Sequence, residues 1–267
     1  MIGADSHSLG YATRTELVPD PGDLVLLPVG ACEQHGPHLP TATDSLIVGE
    51  IAARVAAGLR DDIQTIVAPT LPVGYSRHHL PFGATISVSA ATYQQLLMEM
   101  CGSLVQSGFR KLFLLNGHGG NADIVNVVAR EVALEHGITV GAGSYWVMAW
   151  QQLVAEGAHE RTRLPGHAGA FETSVVMALW PELVRTDALP SREGEFRSDA
   201  RGFHGPYLAE DQANWLAIDG YSDSPAAASA ADGERWFAAV VAGVGTALRR
   251  FDADATACRG SSSRGDD

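Results

Sequence analysis

Five short runs rich in apolar and β-branched residues, separated by longer stretches of helical periodicity, constrain this chain more than any other feature. DLVLLPVG (23–30), IQTIVAP (63–69), GATISVS (83–89), RKLFLLNG (110–117) and ITVGAGSYW (138–146) have the length and composition of strands. Between them, residues 43–59 carry apolar side chains at 46, 47, 51, 55 and 59 behind a Thr-Asp start, as a helix would. Residues 91–107 place Tyr93, Leu96, Leu97, Met100 and Leu104 on one helical face, and ADIVNVVAREVALEHG predicts a third helix ending at Gly137. Strands that alternate with helices of this length pair in parallel, with helices covering both sheet faces. The fold class is therefore α/β, a three-layer α/β/α sandwich around a mostly parallel sheet.

Beyond residue 147 the alternation fades. A helix is predicted near 169–180, a Gly/Pro/Asp-rich stretch from 190 to 226 reads as loops capping a site, and a last helix covers about 227–250. The small polar residues of 252–267 lack periodicity and read as a mobile tail, which leaves one domain over 1–251. At 267 residues one core of this kind is ordinary. No internal repeat is evident.

With 18 Lys and Arg against 31 Asp and Glu, the formal charge of −13 argues against nucleic acid, whose phosphates demand clustered cations. No apolar run has the roughly 20 residues needed to span a bilayer, so no membrane role is expected. MIGADSHSLG lacks the basic and apolar segments of a secretory signal, and a cytoplasmic location is the expectation. Cys32, Cys101 and Cys258 are odd in number and widely spaced, which fits reduced thiols rather than a disulfide framework.

The chemistry is concentrated just after two strands. CEQHGPHLPTATD follows DLVLLPVG, and NGHGGN follows KLFLL; in open parallel sheets ligands bind beyond the carboxyl ends of the strands, so both motifs face one edge. Glu33 and His35 flank Gln34, Asp44 opens the next helix, His118 sits among glycines, and GHAGAFETS supplies His167 and Glu172. Carboxylate oxygens with imidazole nitrogens suit zinc, manganese or iron(II), and one aspartate between two ions can bridge them.

In combination, E-x-H-x8-D, NGHGGN and H-x-G-x-F-E-T-S, in this order across residues 10–250, resemble the creatininase family. That resemblance implies two divalent ions: Glu33, Asp44 and His118 at one, with His35 and the bridging Asp44 at the other. Creatinine-cleaving members carry NGHYEN, whose glutamate binds metal. This chain has Gly120 there, which leaves the missing carboxylate to Glu172. His167 aligns with the family's catalytic histidine. YSRHHLPFGATIS places His79 near the substrate cavity, although Phe-Gly-Ala-Thr replaces Phe-Pro-Gly-Thr. Trp146 and the turn of Gly119 and Gly120 are the remaining candidate substrate contacts; the second pocket tryptophan is absent before His167. A homo-oligomer, commonly a hexamer, is also implied.

The chemistry expected is attack on an amide by a hydroxide held between two ions about 4 Å apart, with His167 protonating the departing nitrogen. A small cyclic amide or formamide is the first substrate class. A peptidase trimming a ribosomal precursor peptide of the mycofactocin type is the second, and a non-catalytic metal-binding subunit is the third. Each residue also has a plainer reading. NGHGGN could cradle an anion, but it lacks the P-loop lysine and the G-x-G-x-x-G spacing. Glu172 could serve only the dipole of its helix, His167 could be a structural hydrogen bonder, and Trp146 and Cys32 could simply pack inward. His7, His38, His78, His136, His159 and His204 have no spacing that singles them out.

Overall fold

The computed structural model describes residues 8–190 and 212–262. The element order is β1 (Leu24–Val29), α1 (Thr43–Leu59), β2 (Thr65–Val67), α2 (Ala90–Gln106), β3 (Lys111–Asn116), α3 (Ala122–His136) and β4 (Thr139–Ser144). The short helices α4 (Tyr145–Met148), α5 (Trp150–Ala155) and α6 (Ala158–Arg161) follow, then α7 (Ala170–Leu179), α8 (Gln212–Ala217) and α9 (Ala230–Ser262). Four strands form one parallel sheet in the order β2-β1-β3-β4.

Every residue of β1 and β3 is buried, because helices cover both sheet faces. The side chains alternate strictly. Leu24 and Leu26 of β1 join Phe113 and Leu115 of β3 against α1, α7 and α9, where Ile47, Ile51, Phe171, Val175, Trp236 and Val240 fill the layer. Val25, Leu27 and Val29 join Leu112 and Leu114 against α2 and α3, through Tyr93, Leu97, Val125 and Val128. This is the three-layer α/β/α arrangement expected from the alternation.

Two predicted elements differ. Residues 83–89 form no ladder strand; they make only isolated bridges, Cys32 with Ile86 and Gly74 with Ser87. The backbone turns left-handed at Gly83 (φ 78) and Ala84 (φ 47), which breaks the extended run, and the Thr85 hydroxyl is spent accepting from the Gln34 amide at 3.0 Å. Ile86, 60% exposed, has no core to enter. Of the tail expected over 252–267, residues 252–262 instead continue α9, and 263–267 lie outside the described residues. Phe251 packs edge-on against Phe113, Asp252 pairs with Lys111 at the amino end of β3, and Ala255 is buried, so the last helix gains an anchor its composition does not advertise. Of the stretch 190–226, residues 191–211 lie outside the described residues. The remainder forms α8 and the segment 218–223, both against the site.

No helix among the described residues is long and apolar enough to cross a membrane.

Candidate metal centre

The chain leaves β1 for β2 on one side and returns to β3 on the other, so the carboxyl ends of β1 and β3 flank a topological switch point. Glu33 and His35 follow β1, His118 follows β3, and Asp44 lies in the first turn of α1. Glu172 lies in the first turn of α7, where its Oε2 accepts the Ala168 N–H at 2.6 Å. That bond holds Ala168 at φ 48, a left-handed conformation unfavourable for alanine, immediately after His167.

These residues converge. His118 Nδ1 lies 3.2 Å from Glu33 Oε1 and 3.1 Å from Asp44 Oδ2. His35 Nε2 lies 3.3 Å from Asp44 Oδ1 and 3.7 Å from Glu172 Oε2. Asp44 therefore presents one oxygen to each group, the arrangement of a bridging carboxylate. His167 Nδ1 and His79 Nε2 approach Glu33 Oε1 at 3.3 and 3.6 Å.

The residues fit a metal ion on two grounds. Glu33, Asp44 and Glu172 are at most 3% exposed, and three buried carboxylates are costly unless cations balance them. Moreover, both Glu33 oxygens, Asp44 Oδ2 and His35 Nε2 are buried with no hydrogen-bond partner, although nitrogen and oxygen atoms stand close by. Atoms that approach without hydrogen-bond geometry are lone pairs aimed at a common point; tetrahedral ligands about 2.1 Å from zinc lie roughly 3.4 Å apart. Glu33, His35 and Asp44 form one triad of suitable donors, and His35, His167 and Glu172 another.

Electrostatics follows the same geometry. Burial alone would lower the His118 imidazole, but Glu33 and Asp44 outweigh it and raise the ring to about 10. Burial opposes His35 in the same way, and Asp44 and Glu172 hold it well above its ordinary range. Burial raises the Glu172 carboxyl, with His35 opposing. For Asp44, burial is overcome by the two imidazoles, which hold it well below the usual carboxylate range. Burial depresses His79, reinforced by His78 and His118. The surrounding carboxylates thus favour positive charge at His35 and His118, and a cation held by these donors would supply that charge in place of protons.

Gly120 cannot supply the carboxylate found in NGHYEN. A Cβ there would lie 2.1 Å from the Tyr75 carbonyl oxygen and 2.6 Å from His118 Nε2, whereas Gly119 opens onto free space. Besides Asp44, the fold brings the Glu172 carboxylate beside His35. Trp146 is half-buried against the α1–α7–α9 core and meets Tyr145 edge-on at 5.0 Å. The indole beside the histidines is that of Trp215 on α8, centred 4.6 Å from His79, 5.0 Å from His78 and 5.7 Å from His167.

Sequence reasoning missed Trp215, since it follows a long irregular stretch. It also set aside His78, which stacks parallel to His118 at 5.9 Å and can form a donor group with Glu33 and His118. The adjacent His78-His79 pair was the available signal. His38 is buried with its Nε2 2.9 Å from Thr173 Oγ1, a structural role. Ser222 and Asp223, also missed, clamp the His167 loop. Ser222 Oγ accepts the His167 N–H at 2.8 Å; Asp223 accepts from Thr162 Oγ1 at 2.7 Å and from the Arg163 and Ala170 N–H groups at 3.0 Å each. His7 and His204 lie outside the described residues.

The family model for creatinine amidohydrolase matches residues 12–248. The chain belongs to the creatininase family. As a member of this family it is a hydrolase acting on carbon–nitrogen bonds. Among curated relatives, the mycofactocin precursor peptide peptidase of Mycolicibacterium smegmatis is 33% identical over 251 residues, covering 92% of each chain. Among solved structures, a manganese creatininase superposes with a TM-score of 0.75 at 29% identity, covering 92% of this chain and 98% of that one. A zinc–zinc form of a mutant creatininase gives 0.76 at 28% identity, covering 92% and 98%. The likeness to creatininase structures thus extends over most of this chain, with Gly120 and Trp215 as local features beside the cluster.

Proposed function

We propose that this creatininase-family chain is a dinuclear metal-dependent peptidase that hydrolyses an amide bond near the end of a short peptide. The observation that carries the metal-dependent part is the set of buried nitrogen and oxygen atoms that approach within 3.1–3.7 Å yet leave Glu33, His35 and Asp44 atoms without hydrogen bonds. Glu33, Asp44 and His118 would hold one ion, and His35, Asp44 and Glu172 the other; zinc, manganese and iron(II) all suit these donors. When bound, such ions supply a water acidified toward neutrality and polarise the carbonyl under attack.

The protein's own groups do the rest. His167 Nδ1 faces the centre and is the group to carry a proton to the departing nitrogen, which leaves poorly unless protonated. The clamp of Ser222 and Asp223 holds that ring in place, and Trp215 screens the histidines from water on the α8 side. The peptide substrate is supported by 33% identity to a precursor-peptide peptidase along 92% of both chains.

A small cyclic amide or formamide is the second reading, favoured by the family model and the creatininase structures. The test is to load the chelator-treated protein with zinc or manganese and offer short peptides, creatinine, lactams and formamides, following products by mass spectrometry. Cleavage of peptides alone supports the first reading; turnover confined to lactams or formamides replaces it with the second. A homo-oligomer is part of the proposal, and light scattering of the metal-loaded protein measures it.

A further inference from the structure

Gln34, between two candidate ligands, is 8% exposed, and its side-chain amide can sit only one way round. Its Oε1 accepts the Gly36 N–H at 2.9 Å and its Nε2 donates to the Gly220 carbonyl at 2.8 Å; turning the amide over would set donor against donor and acceptor against acceptor. One amide proton is left, with His79 Nδ1 at 2.9 Å and His167 Nε2 at 3.1 Å as neighbours. His167 Nε2 also lies 2.9 Å from the Gln34 main-chain oxygen, which can only accept. His167 must therefore carry its proton on Nε2 and donate it to that oxygen, and the amide proton goes to His79 Nδ1. His79 in turn carries its proton on Nε2.

We infer that Gln34 is a positioning residue that locks His79 and His167 in the same Nε2-protonated tautomer but turned opposite ways, so that an N–H of one and a lone pair of the other read both halves of a substrate amide. The two rings stack 4.1 Å apart, and both remaining nitrogens point at the same Glu33 oxygen: an N–H from His79 at 3.6 Å and a lone pair from His167 at 3.3 Å. The His79 N–H is placed to donate to the carbonyl oxygen, where charge develops in the transition state. The His167 lone pair is placed to take a proton from the attacking water and pass it to the departing nitrogen; the C–N bond breaks as the C–O bond forms, and the ring ends as it began. The wrong ring tautomer would exchange the two functions. This assignment of roles rests on the hydrolytic reading above, whereas the tautomers themselves do not.

The test uses the zinc-loaded full chain with 15N-labelled histidine, in which long-range proton–nitrogen correlation distinguishes the two neutral tautomers. We expect both His79 and His167 to show protonated Nε2 and bare Nδ1. In Gln34→Glu, which keeps the size but loses the donor, we expect His79 to move its proton to Nδ1. Zinc content should stay unchanged while kcat falls about 10²-fold with KM little altered. A spectrum of the unaltered protein with His79 protonated on Nδ1 overturns the proposal, as does a Gln34→Glu protein whose His79 pattern is unmoved. The unaltered spectrum tests the assignment even if the variant does not fold. If it shows the expected tautomers while no amide substrate is turned over, the hydrolytic reading fails and the role assigned to the pair falls with it.

Discussion

Glu33, His35 and His118 leave β1 and β3 just past strands that are buried throughout and paired in register with each other, whereas His167 rides on a loop held by side chains from remote parts of the chain. The first group is anchored by the sheet, whose hydrogen bonds do not depend on the site. The second depends on Ser222, Asp223, Gln34 and the Glu172–Ala168 bond. On the function proposed above, the sheet-anchored residues would hold ions and the loop-borne His167 would handle protons. Ligands need a stiff frame that withstands mutual repulsion before an ion arrives; a proton carrier needs a defined ring orientation, which a loop with many hydrogen bonds can also supply.

Variants in the two halves should fail differently. Asp44→Ala, among the candidate ligands at the start of α1, removes the carboxylate that faces both His35 and His118. It should abolish tight uptake of zinc or manganese, measured by elemental analysis after dialysis, and lower turnover on the order of 10³-fold. Full metal content in this variant would refute the bridging role. His167→Ala should instead keep its metals and lose turnover by roughly 10²–10⁴-fold; if metals are lost along with activity, the two halves are not separate. Asp223→Ala strips the acceptor from two N–H groups and a hydroxyl, and should lower stability by about 1–3 kcal/mol per group left buried and unpaired. Denaturant unfolding measures this loss, with metals still bound at equilibrium below the transition. Trp215→Ala should weaken substrate binding about tenfold, the scale of one lost aromatic contact, with little change in metal content.

The smallest effect expected is on pH dependence. Burial, aided by the charge of His35, lowers His38 from 6.5 to about 4, so its neutral ring is the form the fold accepts. The stability this contributes is complete above about pH 6.5 and is lost as the pH falls toward 4, because the unfolded chain takes up the proton more readily. Melting temperatures between pH 7 and 4.5 should fall less steeply in His38→Gln; parallel curves would remove His38 from the acid response.

Much of the sheet-anchored half was legible because its signals are local. A buried parallel strand is a continuous apolar run, and the residues just past its carboxyl end lie at the sheet edge, so DLVLLPVG and KLFLL located Glu33, His35 and His118 together. The sequence argues Glu172 only as a substitute for the carboxylate missing at Gly120; the fold sets its Oε2 3.7 Å from His35, and the Tyr75 carbonyl leaves no room for a side chain at position 120. Trp215 was illegible for the opposite reason. Nothing in QANWLA marks an indole that will cross the molecule to lie against His79, and Trp146, with a matching local motif, packs beside the core instead. The run 83–89 had strand composition, yet two left-handed residues and a hydroxyl committed to Gln34 kept it out of the sheet.

The sequence by itself determined the layers, the parallel sheet and the carboxylate and imidazole donors at its edge, because periodicity and strand-end position are set by neighbours along the chain. Only the tertiary structure decided that Asp44 offers one oxygen to each imidazole, that His78 joins His118, and that Gln34 orders the protons of His79 and His167. Those outcomes depend on distances between residues far apart in the chain, and a tenth of a nanometre in such a distance separates a ligand from a bystander.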